Sequence, residues 1–273
     1  MSYQMIQTEF TQGIALIWLN RPDTRNAMND VFIAELTDAF SAAIEDDAVR
    51  AIVLAGRGKA FCAGADLNWL KKARAMTPEQ AREDSIGLAR LLRLIHDSPK
   101  PTVARVHGPA FAGGMGLVAA CDIAVASHNA KFCLSEAKLG LLPAMISPFV
   151  MKAMGVSHAR RYFLTAEVFD AAEAYRIGFV HELAPPEELD ATVNAILGHL
   201  VLGSPHALTE CKKLILDLAG KPIDDAIAED TAARLARVRA SDDAQEGIDA
   251  FFAKRPPRWV PPPPPAATPE DDD

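Results

Sequence analysis

The sequence predicts an α/β fold, a largely parallel sheet with its crossover helices, followed by a helical C-terminal region. Short apolar runs alternate with amphipathic stretches from Ile14 to Ala126, the pattern of parallel strands joined by helices. After Pro143 the apolar spacing turns helical almost throughout. With 273 residues, 49% of them apolar, the chain is long enough for one large domain with a small appendage.

The elements follow in order. Met5–Glu9 and Ile14–Leu19 read as a hairpin turning at Thr11-Gln12-Gly13. Asn29 or Asp30 caps a helix reaching about Ile44, with Phe32, Ile33, Leu36 and Phe40 on one face. Ala51–Ala55 is apolar enough for a buried strand, and a loop runs from Gly56 to Gly64. Thr77-Pro78-Glu79 opens a helix carrying Ile86, Leu88, Leu91, Leu92 and Ile95, which Pro99 and Pro101 stop. Thr102–Val106 is a strand, Gly108–Gly116 a glycine-rich turn into a helix through Ala120, and Ile123–Ala126 a strand. The later helices are expected at Ser147–Met154, His158–Thr165, Ala171–Ile177, Pro186–Leu202, Pro205–Leu218 and Ile223–Ala240. Pro261–Pro265 and the acidic Asp271–Asp273 read as a disordered tail.

A net charge of −8 argues against nucleic acid as a partner, since phosphate binding requires a basic surface. Cys62, Cys121, Cys133 and Cys211 have no CxxC spacing, which suits incidental thiols in a reducing compartment. Met1–Phe10 lacks the features of a signal peptide. The apolar run Phe111–Ala126 is too short and too interrupted to span a membrane. A cytoplasmic protein without metal is the expectation.

Three segments carry candidate chemistry. Cys62-Ala63-Gly64-Ala65-Asp66-Leu67 consists mostly of small residues, which let a ligand approach the backbone. His107 to Gly116 follows a strand and opens a helix, whose first N–H groups suit an oxyanion. It lacks the ending of a phosphate-binding P-loop and does not complete a dinucleotide fingerprint. Phe132-Cys133-Leu134-Ser135-Glu136 offers one carboxylate in an apolar stretch. Each also has a bland reading: a turn, tight helix–sheet packing, a salt-bridged glutamate. Asp122 and His107 read as structural, and Cys62 has no partnered base.

Together these segments resemble the crotonase (enoyl-CoA hydratase/isomerase) superfamily from about Ile6 to Arg255. The resemblance also rests on Leu19-Asn20-Arg21-Pro22, Arg25-Asn26-Ala27, Gly108 to Asp122, Phe132 to Pro143, Glu246 to Phe252, and Lys254-Arg255. It implies a crotonase-like spiral of ββα turns with a helical C-terminal trimerisation region. The core would span 1–200, the helical region 201–258 and the tail 259–273. It implies catalysis by Glu136 with the backbone N–H groups of Ala65 and Gly113 as an oxyanion hole. Arg25, Ala63, Ala65, Asp66, Leu67, Gly113, Gly114, Phe251 and Lys254 would contact substrate or coenzyme A. Coenzyme A would be part of the substrate, with no separate cofactor, and the assembly a homotrimer or dimer of trimers.

One departure matters. The family's first catalytic glutamate falls on Gly116. Yet Phe132–Glu136 with Pro143-Ala144-Met145-Ile146-Ser147-Pro148-Phe149 resembles bacterial methylglutaconyl-CoA and carboxygeranoyl-CoA hydratases. That subgroup also runs into Gly-Leu-Val here. The expected activity is therefore hydration of a branched, carboxylated enoyl-CoA, with Lys71, Lys72 or Lys138 facing the substrate carboxylate. The alternatives are a Δ3,Δ2-enoyl-CoA isomerase using one glutamate, or a non-catalytic binding member.

Overall fold

In a computed structural model, the structure describes residues 3–260. The strands are β1 (Ile6–Thr11), β2 (Ile14–Leu19), β3 (Ala51–Gly56), β4 (Thr102–Val106), β5 (Ala110–Phe111), β6 (Ile123–Ser127), β7 (Lys131–Cys133), β8 (Phe169–Asp170) and β9 (Glu182–Ala184). The helices are α1 (Asp30–Glu45), α2 (Leu67–Ala73), α3 (Pro78–His96), α4 (Gly113–Ala120), α5 (Ser147–Thr165), α6 (Ala171–Arg176), α7 (Leu189–Leu202), α8 (Pro205–Leu218), α9 (Asp225–Arg239) and α10 (Asp242–Phe252). The chain divides into two compact units, Met1–Leu200 and Val201–Asp273.

In the first unit, one sheet has the order β1-β2-β3-β4-β6-β9 and a smaller one β5-β7-β8. The β1–β2 hairpin is antiparallel, and its turn residues Gln12 and Gly13 both have positive φ, 49° and 81°. That backbone matches the twist of the flanking strands. From β2 onward the larger sheet is parallel. Every residue of β3 is buried, which explains its unbroken apolar run.

The expected helices form for the reasons the sequence gives. Asn29 caps α1 by accepting the Phe32 N–H. Thr77 and Gln80 make a reciprocal capping box at the start of α3, with Pro78 in its first turn. Phe32, Leu36 and Phe40 of α1 and Leu91, Leu92 and Ile95 of α3 are buried in one core with Ile17, Leu54 and Val106. Burying a side chain of that size stabilises the fold by roughly 1.5–3 kcal/mol.

Several boundaries differ. The break expected between Ser147–Met154 and His158–Thr165 is present inside α5, at Gly155 with non-helical φ 76° and ψ 154°. Helix α7 starts at Leu189 rather than Pro186, because Pro185-Pro186 leads into a turn. Helices α2 and α10 had no place among the expected elements, nor did β5, β7, β8 and β9, which are two or three residues long and carry no periodicity.

In the second unit, Ser204 caps α8 through the Ala207 N–H and donates its hydroxyl to Asp243. Arg255 pairs with Glu246 and Arg258 with Asp243, both at 2.7 Å. The expected tail began at residue 259, but Trp259 donates its indole N–H to the Leu202 carbonyl at 3.1 Å. Pro261–Pro265 and Asp271–Asp273 lie outside the described residues.

Candidate active site

Three short segments lie side by side. Cys62 bridges Ala110 in parallel, and Ala110 pairs in parallel with Phe132. Cys62, Ala110 and Phe132 therefore form one row across neighbours about 4.8 Å apart. All three segments run the same way and emerge at the same edge. Ala65 and Gly113 come three residues after their row positions, and Glu136 four after its own.

The Cys62 carbonyl accepts the Phe111 N–H at 2.9 Å, and the Cys133 carbonyl accepts the Ala112 N–H at 2.8 Å. Gly64, with φ 93°, could not hold a side chain: a Cβ there would lie 3.0 Å from Ala112 Cβ. A Cβ on Gly114 would lie 2.5 Å from the Cys62 carbonyl oxygen. The glycines and alanines are thus what allows the two turns to touch.

Met28 ties the same two turns from below. It forms a parallel bridge with Ala65: Met28 N–H donates to Gly64 O and Asp66 N–H donates to Met28 O, each at 2.8 Å. In such a bridge the Ala65 N–H points to the other side. The Met28 methyl lies where a Cβ on Gly113 would fall, 2.0 Å from that position.

Among the described residues, neither the Ala65 nor the Gly113 N–H donates to a hydrogen-bond acceptor. Gly113 opens α4, where first-turn donors lack partners. The preceding Ala112 has φ 48° and ψ −120°, a conformation costly for a residue with a Cβ.

Glu136 stands on a single turn of 3₁₀ helix, Ser135–Leu139, closed by the Leu141 N–H on the Glu136 carbonyl at 3.0 Å. Its side chain is half-buried, and Oε2 is covered with no partner among the described residues. Burial pushes its carboxyl above the ordinary value of 4.5. At Gly116 there is no room for a second acid: a Cβ would lie 2.2 Å from Ile146 Cγ2.

The remaining candidates fall out differently. Arg25 is exposed, makes no ion pair among the described residues, and accepts the Ala63 N–H on its carbonyl at 3.0 Å. Ala63 is half-buried, and Leu67 is 74% exposed beside them. The Asp66 carboxylate is already engaged, with Arg21 at 2.9 Å and with the Asn68 N–H at 2.8 Å. Phe251 is 79% exposed and Lys254 exposed, both in the second unit. Lys71, Lys72 and Lys138 are exposed. His107 bonds the Gly58 carbonyl at 3.0 Å, and burial holds its charged form back. Burial pushes the Cys62 thiol up to about 12, which makes it inert at neutral pH. Asp122 accepts both the N–H and hydroxyl of Thr102.

Sequence reasoning missed Met28, Arg21 and Ile146. Arg21 and Ile146 lie inside the motifs Leu19–Pro22 and Pro143–Phe149 and could have been flagged; an isolated methionine carries no such signal.

Residues 9–261 match the family model described as enoyl-CoA hydratase/isomerase. The chain belongs to that family. A Shewanella pealeana enoyl-CoA hydratase structure is 41% identical, with a TM-score of 0.91, covering 94% of this chain and 96% of its own. A Syntrophomonas wolfei crotonyl-CoA hydratase is 33% identical over 95% of this chain and 99% of its own length. A Thermus thermophilus protein, provisionally named an enoyl-CoA hydratase, is 38% identical over 93% of this chain and its whole own length. The mixed α/β architecture is that of the family's solved structures. Among the described residues there is no cluster of metal ligands, and no helix long and apolar enough to cross a membrane.

Proposed function

We propose that the chain is an enoyl-CoA hydratase whose substrate is a branched, carboxylated enoyl-CoA of the methylglutaconyl-CoA type. What supports it is that the segments bearing Ala65, Gly113 and Glu136 are joined in one row at Cys62, Ala110 and Phe132, with two N–H groups that have no acceptor among the described residues and one half-buried carboxylate. A hydratase needs a place for negative charge on the thioester oxygen and a group that moves a proton.

The Ala65 and Gly113 N–H groups receive the thioester carbonyl. As water adds at C3, its oxygen bonds that carbon and the C2=C3 electrons move toward the carbonyl, leaving an enolate oxygen. Two fixed donors favour that oxygen, each worth about 3–4 kcal/mol in a dry site. Glu136 takes the proton from the attacking water and returns it to C2, so one water is added and the carboxylate is restored. A carboxyl raised by burial accepts a proton more readily, which suits this role. The guanidinium of Arg25, exposed and in no ion pair among the described residues, is available to the nucleotide phosphates. Ala63 and Leu67 line the adenine, and the chain assembles as a trimer or dimer of trimers.

The hydratase relatives support hydration. The carboxylated acyl group rests on the Phe132–Glu136 and Pro143–Phe149 motifs. Lys138, exposed on the same turn as Glu136, is the cation for its carboxylate.

Turnover across a panel of linear, branched and carboxylated enoyl-CoA esters tests the reading, with Glu136→Gln as control. The wild type hydrates methylglutaconyl-CoA best, and the variant loses about 10²–10⁴-fold in kcat while still binding the ester. Isomerisation of a 3-enoyl-CoA without hydration would replace this reading, and a fully active variant would remove Glu136 from it.

A further inference from the structure

The Ala65 N–H is only as well aimed as the bridge that holds it, and that bridge has its own clamp. Arg21 donates from Nη1 to the Ala27 carbonyl, next to Met28, and from Nη2 to Asp66 Oδ2 at 2.9 Å. Met28 and Asp66 are the residues joined across the bridge at Ala65. One guanidinium therefore grips both strands of the bridge, immediately beside the pairing that orients Ala65. The second oxygen of Asp66 caps α2, fixing the chain as it leaves Ala65.

Arg21 is itself anchored. Its N–H donates to Asn26 Oδ1 at 2.8 Å. Fully buried Asn26 donates in turn to the carbonyls of Arg57, Ala60 and Phe61, at 2.9, 2.9 and 3.1 Å. The segment that leads to Cys62 and Ala65 is thus held from the same turn. The Arg21 and Asp66 side chains are only 17% and 10% exposed, so water competes little for their bonds.

We propose that Arg21 is a positioning residue for the reaction, acting through Asp66 and Ala27 to aim the Ala65 N–H at the thioester oxygen. The inference rests on the oxyanion reading of Ala65 and Gly113. Arg21 touches no substrate. Its effect belongs in kcat, since a small misplacement of a reacting group costs up to about a hundredfold in rate.

The test uses the full-length protein carrying Glu136→Gln, which arrests turnover, with bound crotonyl-CoA as the probe. The infrared carbonyl stretch of the ester reports how strongly the N–H pair polarises it. In this parent the stretch moves to lower frequency than in free crotonyl-CoA. Adding Arg21→Lys, which keeps the charge but loses the fork, shrinks that displacement. So does adding Asp66→Asn, which keeps the helix cap. With Glu136 intact, both variants lose about tenfold to a hundredfold in kcat, with KM little changed. If Arg21→Lys or Asp66→Asn lowers only the melting temperature, leaving the carbonyl displacement and kcat intact, Arg21 is structural and the proposal falls. A parent showing no displacement at all would instead overturn the oxyanion reading, and the proposal with it.

Discussion

Ile146 occupies the space that a side chain at Gly116 would require. A Cβ on Gly116 would lie 2.2 Å from Ile146 Cγ2 and 2.8 Å from its Cβ. Both residues are buried, Ile146 at 2% exposure. The absence of a carboxylate at Gly116 is therefore built into the packing: the neighbouring segment has closed over the position. No carboxylate from that position of α4 accompanies Glu136.

The pair predicts a strong coupling. Gly116→Ala alone overpacks the contact and costs about 1–3 kcal/mol. Ile146→Ala alone leaves a cavity and costs about 2–5 kcal/mol. The double variant costs less than the sum, because each change supplies the room the other lacks. Urea denaturation of the four proteins measures it. Additive effects would mean that the two residues do not compete for the same space.

Glu136 also predicts a pH dependence of stability. Its folded carboxyl is raised by burial, so the folded chain holds the proton more tightly than the unfolded chain. Between the ordinary value of 4.5 and the raised one, stability falls as pH rises. Glu136→Gln removes that loss. In thermal melts, the variant should exceed the wild type most in mildly alkaline buffer and approach it in mildly acidic buffer. A variant less stable at every pH would show that the carboxylate has a partner worth more than its burial costs.

The two glycines at the start of α4 should rank. An Ala at Gly113 meets the end of the flexible Met28 side chain, whereas an Ala at Gly114 meets the Cys62 carbonyl at 2.5 Å. A thioether can swing aside and backbone cannot. Gly113→Ala should cost about 1–3 kcal/mol and Gly114→Ala more. The reverse order in denaturant unfolding would contradict the contact of the two turns.

Much of this was legible in the residues. Capping by Asn29 and Thr77, the apolar run of β3 and the glycine break in α5 are local signals, and local signals survive in sequence. The candidate site was legible as small residues in Cys62–Leu67 and Gly108–Gly116 and as one glutamate in an apolar stretch. What joins them was not. The row Cys62–Ala110–Phe132 is made by isolated bridges and strands of two or three residues, too short for any period. The grip of Arg21 on Asp66 spans 45 residues, and the closing of Gly116 by Ile146 depends on a contact between α4 and the residue preceding α5. Neither follows from propensity or spacing. Nor did spacing show that the Asp66 carboxylate is engaged inside the chain, with Arg21 and the Asn68 N–H.

The most direct measurement is a crystal structure of Glu136→Gln with a bound enoyl-CoA ester. The account predicts the thioester oxygen about 2.7–3.1 Å from both the Ala65 and Gly113 nitrogens, with the residue 136 amide beside C2 and C3. An ester whose carbonyl oxygen lies away from that pair, or whose acyl chain runs on the far side of α4 from residue 136, would contradict it.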